Sequence, residues 1–251
     1  MSSIKILGIT GKAGSGKSTF GTILQEEYGW AVSAFADPLK QWAKDVFDFT
    51  DDQLWGPSAE RNKPDPRYPR PCFICSRTGI TLAEDRVGAI TPEYCTACNG
   101  EGKTFLAPRE VLQRLGTEVG RACYPPIWAE KGLRVAQQLL APPHQADGQT
   151  YLWKYDARAG RYRVAVGSGV RPYAGVVFTD VRFETEAEVI HKAGGRIINI
   201  DSHLGGLQGE AGKHVSEDGL PAACIDEVVA NYGTLEEFRE NIRAFVATLP
   251  A

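Results

Sequence analysis

The sequence has no large excess of charge: 28 Lys and Arg against 31 Asp and Glu leave a net charge of -3. A basic coat for nucleic acid is thereby excluded, although a local basic patch is not. No apolar run approaches the ~18 residues of a membrane span, and no internal repeat or low-complexity tract is present. Met1–Thr10 carries one lysine and a short apolar stretch, without the longer apolar region and small-residue cleavage site of a secretory signal. These absences lead us to expect a soluble protein of the cytoplasm. With 43% hydrophobic and 24% charged residues over 251 positions, a sizeable core is available without disulfides.

The patterning alternates strands with helices. Ile4–Thr10 reads as a strand, Gly11–Gly16 as a glycine-rich loop, and Phe20, Ile23 and Leu24 fall at helical spacing. Trp30–Phe35 reads as a second strand. Asp37-Pro38 gives an N-cap and first helical residue, and Leu39, Trp42, Ala43, Val46 and Phe47 form an apolar stripe. Pro57, Pro64, Pro66, Pro69 and Pro71 forbid a regular helix. Helical pattern returns after Pro108 with Val111, Leu112, Leu115 and Val119, and again over Trp128–Leu140. Tyr151–Tyr155 and Tyr162–Val166 predict a hairpin turning at Asp156–Gly160. Val176–Asp180 and Arg196–Ile200 read as buried strands ending at Asp180 and Asp201. Thr185 with Glu188, and Thr234 with Glu237, read as capping boxes; Leu235, Phe238, Ile242, Phe245, Val246 and Leu249 line the last helix. The expected fold is α/β, a mostly parallel sheet flanked by helices.

Gly11-Lys12-Ala13-Gly14-Ser15-Gly16-Lys17-Ser18, followed by Thr19, fits G-x-x-x-x-G-K-[ST] between a strand and a helix. Glycines let backbone N–H groups converge on phosphate oxygens, and the helix N-terminus adds partial positive charge. Lys17 is placed to bridge the β- and γ-phosphates of ATP and Ser18 to ligate Mg²⁺. A second anion site for an acceptor would draw on arginines: Arg109, Arg114 and Arg121 near one helix, and Arg182 after a strand end. Asp37, Asp180 and Asp201 stand at strand ends, where open α/β sheets meet ligands. Of these, Asp180 is our choice for the Mg²⁺-water shell, while Asp37 reads equally well as an N-cap.

Several segments resemble the bacteriophage deoxynucleoside monophosphate kinases. They are the phosphate loop, Phe35–Lys40, Leu54–Ser58 with Arg61-Asn62, Pro108–Glu110, Leu112–Glu118 through Gly120-Arg121, Asp180–Phe183, Glu186–Glu188, His214–Glu217 and Asn231–Thr234. The Leu-Gly-Thr-Glu-x-Gly-Arg and Asp-Val-Arg-Phe segments are the most particular. Ala107 stands where that family tends to have Thr, which removes a side-chain cap. The resemblance implies transfer of the ATP γ-phosphoryl group to a deoxynucleoside monophosphate (dNMP). It places Arg109, Gln113, Thr117 and Arg121 along the monophosphate site, with Asp37 and Arg182 also at the acceptor. Lys17, Arg121, Arg182 and Asp37 form the implied catalytic set, and the resemblance alone implies a homodimer. The kinase core would be residues 1–66, 104–140 and 176–251, interrupted by segments 67–103 and 141–175. If Asp37 is instead a base, the acceptor is a hydroxyl, as in a dephospho-coenzyme-A-kinase-like enzyme.

Cys72-x-x-Cys75 and Cys95-x-x-Cys98 stand 19 residues apart, the pattern of a closed four-thiolate structural zinc site. Gly100 and Gly102 would let backbone amides turn toward the sulfurs, and the second half-site resembles those of DnaJ-type chaperones. A nucleotide-switched partner-binding protein is a second reading of this combination. Segment 72–103 holds three cations, Arg77, Arg86 and Lys103, which argues against nucleic acid. In 141–175, aromatics alternate with Arg158, Arg161 and Arg163; they would stack bases, cover the nucleotides, make an oligomer contact or form one packed face of a hairpin.

Overall fold

Ile6–Thr10 is buried at all five positions, the pattern of a strand covered on both faces. The structure is a computed structural model that describes residues 5–84, 88–203 and 219–249. Ile4 of the predicted first strand and the His214–Glu217 segment lie outside the described residues. In chain order the elements begin with β1 (Ile6–Thr10), α1 (Lys17–Tyr28), β2 (Ala31–Ser33), α2 (Asp37–Phe47), α3 (Asp51–Trp55) and α4 (Ser58–Asn62). There follow β3 (Pro69–Pro71), β4 (Ile80–Glu84), β5 (Ile90–Tyr94), β6 (Lys103–Phe105), α5 (Pro108–Gln113), a π-helical stretch (Arg114–Arg121) and α6 (Ile127–Leu139). The chain continues through β7 (His144–Ala146), β8 (Gln149–Asp156), β9 (Gly160–Ala165), β10 (Val176–Phe178), α7 (Glu184–Lys192), β11 (Arg196–Asp201), β12 (Glu227–Ala230) and α8 (Leu235–Ala247). The chain divides into two units, one of residues 1–41 and 119–251, the other of residues 42–118.

The first unit holds a five-stranded parallel sheet in the order β12-β11-β1-β10-β2. Successive side chains point to opposite faces of a strand. Ile6, Val176, Phe178 and Ile197 therefore join the core with Val135 and Leu139 of α6 and Ile190 of α7. Leu7, Ile9, Val177 and Ile198 enter the other core, with Phe20, Ile23 and Leu24 of α1 and Phe238, Ile242 and Phe245 of α8. The expected α/β sheet is thus present. The capping box at α8 is also formed, with Thr234 Oγ1 accepting from Glu237 N–H. Leu235, however, is 57% exposed, since the first residue of that helix points away from the sheet.

β7, β8 and β9 form a separate antiparallel sheet in this unit. The predicted hairpin closes where Asp156 Oδ1 accepts from Arg158 and Ala159 N–H. Its aromatic face is packed: Trp153 and Tyr155 lie against the first core, with the Arg161 guanidinium 5.9 Å from the Trp153 ring centre.

In the second unit, Ala43, Phe49, Leu54 and Val111 form a small core. Trp42 and Val46 do not share it and are 45% and 57% exposed; the buried stripe of α2 follows Leu39 and Ala43, at i and i+4. The expectation for Val119 is overturned as well. It is 54% exposed, because the turn widens from α to π at Arg114 and shifts the phase set by Val111. Pro57 does not exclude helix either. It precedes the first residue of α4, where its missing N–H costs nothing.

Candidate functional site

The phosphate loop takes its shape from glycine. Gly11, Gly14 and Gly16 have φ of 135°, 81° and 104°, a region that L side chains avoid. A Cβ on Gly11 would lie 2.7 Å from the Ile200 carbonyl, and one on Gly16 would lie 2.6 Å from Asn231 Nδ2. Asn231 in turn donates to the Ser15 carbonyl at 2.9 Å, fastening the loop to the end of β12. The residue before α1 is Gly16, which offers no side-chain cap, and no acid stands in the first turn of the helix. Lys17 Nζ donates to the Gly11 and Lys12 carbonyls, each at 2.6 Å. Ser15 is buried, and its hydroxyl has no hydrogen-bond partner among the described residues. A loop whose glycines take conformations closed to other residues, a helix that starts without a side-chain cap from Gly16 and a buried orphan hydroxyl fit the phosphates of a nucleotide.

Gly11, Lys12, Lys17, Asp180, Arg182 and Asn199 are among the residues lining a cavity of about 210 Å³ at this loop. The structure thus brings the loop together with two of the candidates after β10. Asp180 Oδ1 accepts from Phe35 N–H at 2.8 Å and Oδ2 from Ala36 N–H at 3.1 Å. Asp37 is 2% exposed. It is the first residue of α2 rather than its N-cap, and its carboxylate accepts from Ala34 N–H and the Tyr155 hydroxyl, both at 2.9 Å. Asp201 is exposed and accepts from the Tyr232 hydroxyl. A larger cavity of about 560 Å³ lies between α6 and α7. Its charges satisfy one another, Arg134 with Glu130 and Lys192 with Glu188, and we do not place the site there.

Arg121 is held on two sides. Its Nη2 donates to Glu186 Oε1 at 2.6 Å, and its guanidinium lies 3.7 Å from the Phe183 ring centre. Glu186 Oε2 accepts from Arg182 and Phe183 N–H at 2.8 and 3.2 Å. This corrects the predicted Thr185/Glu188 box. α7 begins at Glu184, so the acid at its third position is Glu186 and Thr185 lies inside the helix. The sequence reading gave Glu186 no role; an acid three residues after Phe183, at the head of an apolar-periodic run, was the available signal.

Burial, and next the charge of Asp180, push the Glu186 carboxyl up from 4.5 to about 7. Between those values the folded chain holds a proton that the unfolded chain has released, so this group's contribution to stability falls as pH rises. Glu186→Gln should gain about 3 kcal/mol relative to the parent between pH 4.5 and 8. Urea unfolding of both proteins across that range measures it; parallel pH profiles would refute the assignment.

Arg109, Gln113 and Thr117 belong to the other unit, four residues apart on the segment that passes from α5 into the π-helical stretch. Arg109 Nη2 donates to Ser58 Oγ at 3.4 Å, while Gln113 and Thr117 are exposed. Ala107 provides no side-chain cap, and Pro108 starts the helix.

The four cysteines of that unit are buried, with their sulfurs all within 4.8 Å of one another. Cys72–Cys95 and Cys75–Cys98 sulfur separations are 3.8 and 3.7 Å. A tetrahedron with Zn–S bonds of about 2.3 Å has edges of about 3.8 Å, whereas a disulfide needs about 2.05 Å. Gly79 N–H donates to Cys75 Sγ and Gly102 N–H to Cys98 Sγ, each at 3.3 Å. Gly100 instead donates to the Cys95 carbonyl. The repeated unit is Cys-x-x-Cys-x-x-x-Gly, legible at both sites, although the sequence reading passed over Gly79.

No family model matches the chain. It is similar to a viral protein. That protein, from Acanthamoeba polyphaga mimivirus, is named "Putative deoxynucleotide monophosphate kinase" and is 28% identical over 241 residues. The alignment covers 94% of this chain and 93% of the relative, so the likeness is not confined to the phosphate loop.

Proposed function

We propose that this protein is a nucleotide kinase that transfers the γ-phosphoryl group of ATP to a deoxynucleoside monophosphate, giving ADP and the diphosphate. The observation that carries the reading is the glycine-rich loop at the start of α1 lining one cavity with Lys17, Asp180 and Arg182. The name of the viral relative supports the substrate class. A monophosphate oxygen attacks the γ-phosphorus as the bond from that phosphorus to the β,γ-bridging oxygen breaks. The attacking oxygen is already anionic, so no side chain need remove a proton. The protein's task is to position and neutralise two polyanions. In this reading the loop amides and Lys17 bind the ATP phosphates, and Arg182 and Arg121 neutralise charge at the acceptor. Arg109, Gln113 and Thr117 bind the monophosphate. Ser18 would ligate Mg²⁺ and Asp180 would stand in its water shell; the ion supplies further charge neutralisation when bound. Asp37 accepts two hydrogen bonds and is nearly sealed from solvent, which favours a phosphate acceptor over a hydroxyl that needs a base. The four clustered cysteines would hold a structural zinc ion, with segments 67–103 and 141–175 as additions to the kinase core. Among the described residues no helix is long and apolar enough to cross a membrane.

The test is ADP release with ATP and Mg²⁺ against separate dNMPs, ribonucleoside monophosphates, nucleosides and dephospho-coenzyme A. Turnover with at least one dNMP, forming the matching diphosphate, is expected. Turnover with hydroxyl acceptors alone, or none at all, would overturn the proposal.

A further inference from the structure

Segment 141–175 was open to several roles on sequence alone. The structure joins it to the phosphate-loop cavity through one phenol. The hairpin turn seats on α2, where Gln41 Nε2 donates to the Ala157 carbonyl at 3.2 Å. Two residues before that carbonyl, Tyr155 at the end of β8 donates its hydroxyl to Asp37 Oδ2 at 2.9 Å. The Tyr155 backbone N–H is itself on the Tyr173 hydroxyl at 3.3 Å. Burial and the neighbouring Asp37 charge push the Tyr155 phenol up, so it keeps its proton and remains the donor.

Asp37 passes this constraint to the turn after β2. Its Oδ2 accepts from Ala34 N–H, while the next two N–H groups, of Phe35 and Ala36, go to Asp180. Three consecutive amides are thus held by two carboxylates. Asp180 lines the phosphate-loop cavity, so the same turn that Tyr155 braces through Asp37 sets the direction of the Asp180 carboxylate. The Phe35 ring, stacked on Phe178 at 4.3 Å, fixes the turn from the core side.

We propose that Tyr155 is a positioning residue for the nucleotide site, acting through Asp37 and the Ala34–Ala36 amides on Asp180. The inference rests on the nucleotide-kinase reading and adds to it a function for the inserted β-sheet. Its distinguishing consequence is coupling. Tyr155→Phe keeps the ring in place and deletes only the donor. In the parent it should lower kcat about tenfold and raise the Mg²⁺ concentration for half-maximal rate, with a much smaller change in the KM for dNMP. In an Asp180→Asn background the same change should do almost nothing, because the group it orients is already impaired.

The full-length parent, both single variants and the double variant are compared in the ADP-release assay, with thermal unfolding of each. The same cycle is read in MgADP affinity by calorimetry, which needs nucleotide binding and no acceptor. Non-additive losses in either readout support the proposal. Equal effects of Tyr155→Phe in both backgrounds, or losses of rate and affinity that merely follow unfolding at the assay temperature, overturn it. A parent that binds MgADP and shows the coupling but phosphorylates no dNMP would remove the kinase reading and leave this inference standing.

Discussion

Lys17→Ala should lower phosphoryl transfer by about a thousandfold or more while the protein stays folded. A loss of that size corresponds to about 4 kcal/mol of transition-state stabilisation, the scale of a preorganised cation or donor removed from a developing anion. The side chain occupies the first position of α1 and spans the loop carbonyls of Gly11 and Lys12. It therefore enters the phosphate region already directed, with little ordering left to do when charge develops. Alanine is a better helix former than lysine, and the cores on either side of the sheet contain no part of Lys17. The unfolding midpoint should move by only a few degrees. Steady-state turnover with dNMP, together with a thermal melt, checks both halves. Retained turnover would remove Lys17 from the chemistry, and a collapsed melt would make the loss uninformative until Lys17→Met was compared.

The parts of this protein that were legible in its sequence are those whose signal is local. The phosphate loop, the Thr234/Glu237 box and the strand runs at Val176 and Arg196 each carry their own pattern within a few residues. β12 was missed because it is a four-residue edge strand with Val228 58% exposed, so no buried run announces it. β7 was missed although Asp147-Gly148, with φ of 51° and 72°, is a strong signature of a two-residue hairpin turn. α3 was missed although Thr50 and Gln53 form a capping box. In those two cases the chemistry was present in the sequence and passed over.

The remaining failures are not local. Nothing near residue 155 indicates that its phenol meets a carboxylate 118 positions earlier, or that Asp180 binds the amides of Phe35 and Ala36. Such pairings exist only once the parallel order β1-β10-β2 brings the strand ends together. The change from α to π at Arg114 is equally silent, since Val111, Leu112, Leu115 and Val119 fit an ordinary helix by spacing. It falls inside the Leu-Gly-Thr-Glu-x-Gly-Arg segment, and π turns are frequent at functional sites. Propensity does not explain it, whereas packing at Gly120 shows one constraint: a Cβ there would lie 2.6 Å from the Trp128 ring.

Removing the metal proposed for the four-cysteine centre should unfold its surroundings and spare the parallel sheet. Among the described residues of 69–105, the buried ones are the four cysteines with Gly79 and Gly102. The large apolar side chains face water, with Phe73, Leu82 and Tyr94 each about three-quarters or more exposed. β3–β6 and β4–β5 are isolated two-stranded pairs, which are marginal in water without a covered face. A structural zinc ion can supply on the order of 10 kcal/mol or more to such a segment, far more than its apolar burial offers. The purified protein should contain one zinc per chain, and Cys98→Ser should lose it. Amide exchange over 69–105 should then approach that of an unfolded chain, while β1, β10 and β11 keep their protection. Chelation under reducing conditions should reproduce the variant, and restored zinc should reverse it. Protection that survives complete metal removal would show that hydrogen bonds such as Gly79 N–H to Cys75 and Gly102 N–H to Cys98 hold the two knuckles without an ion. The clustering of the four sulfurs would then need another explanation.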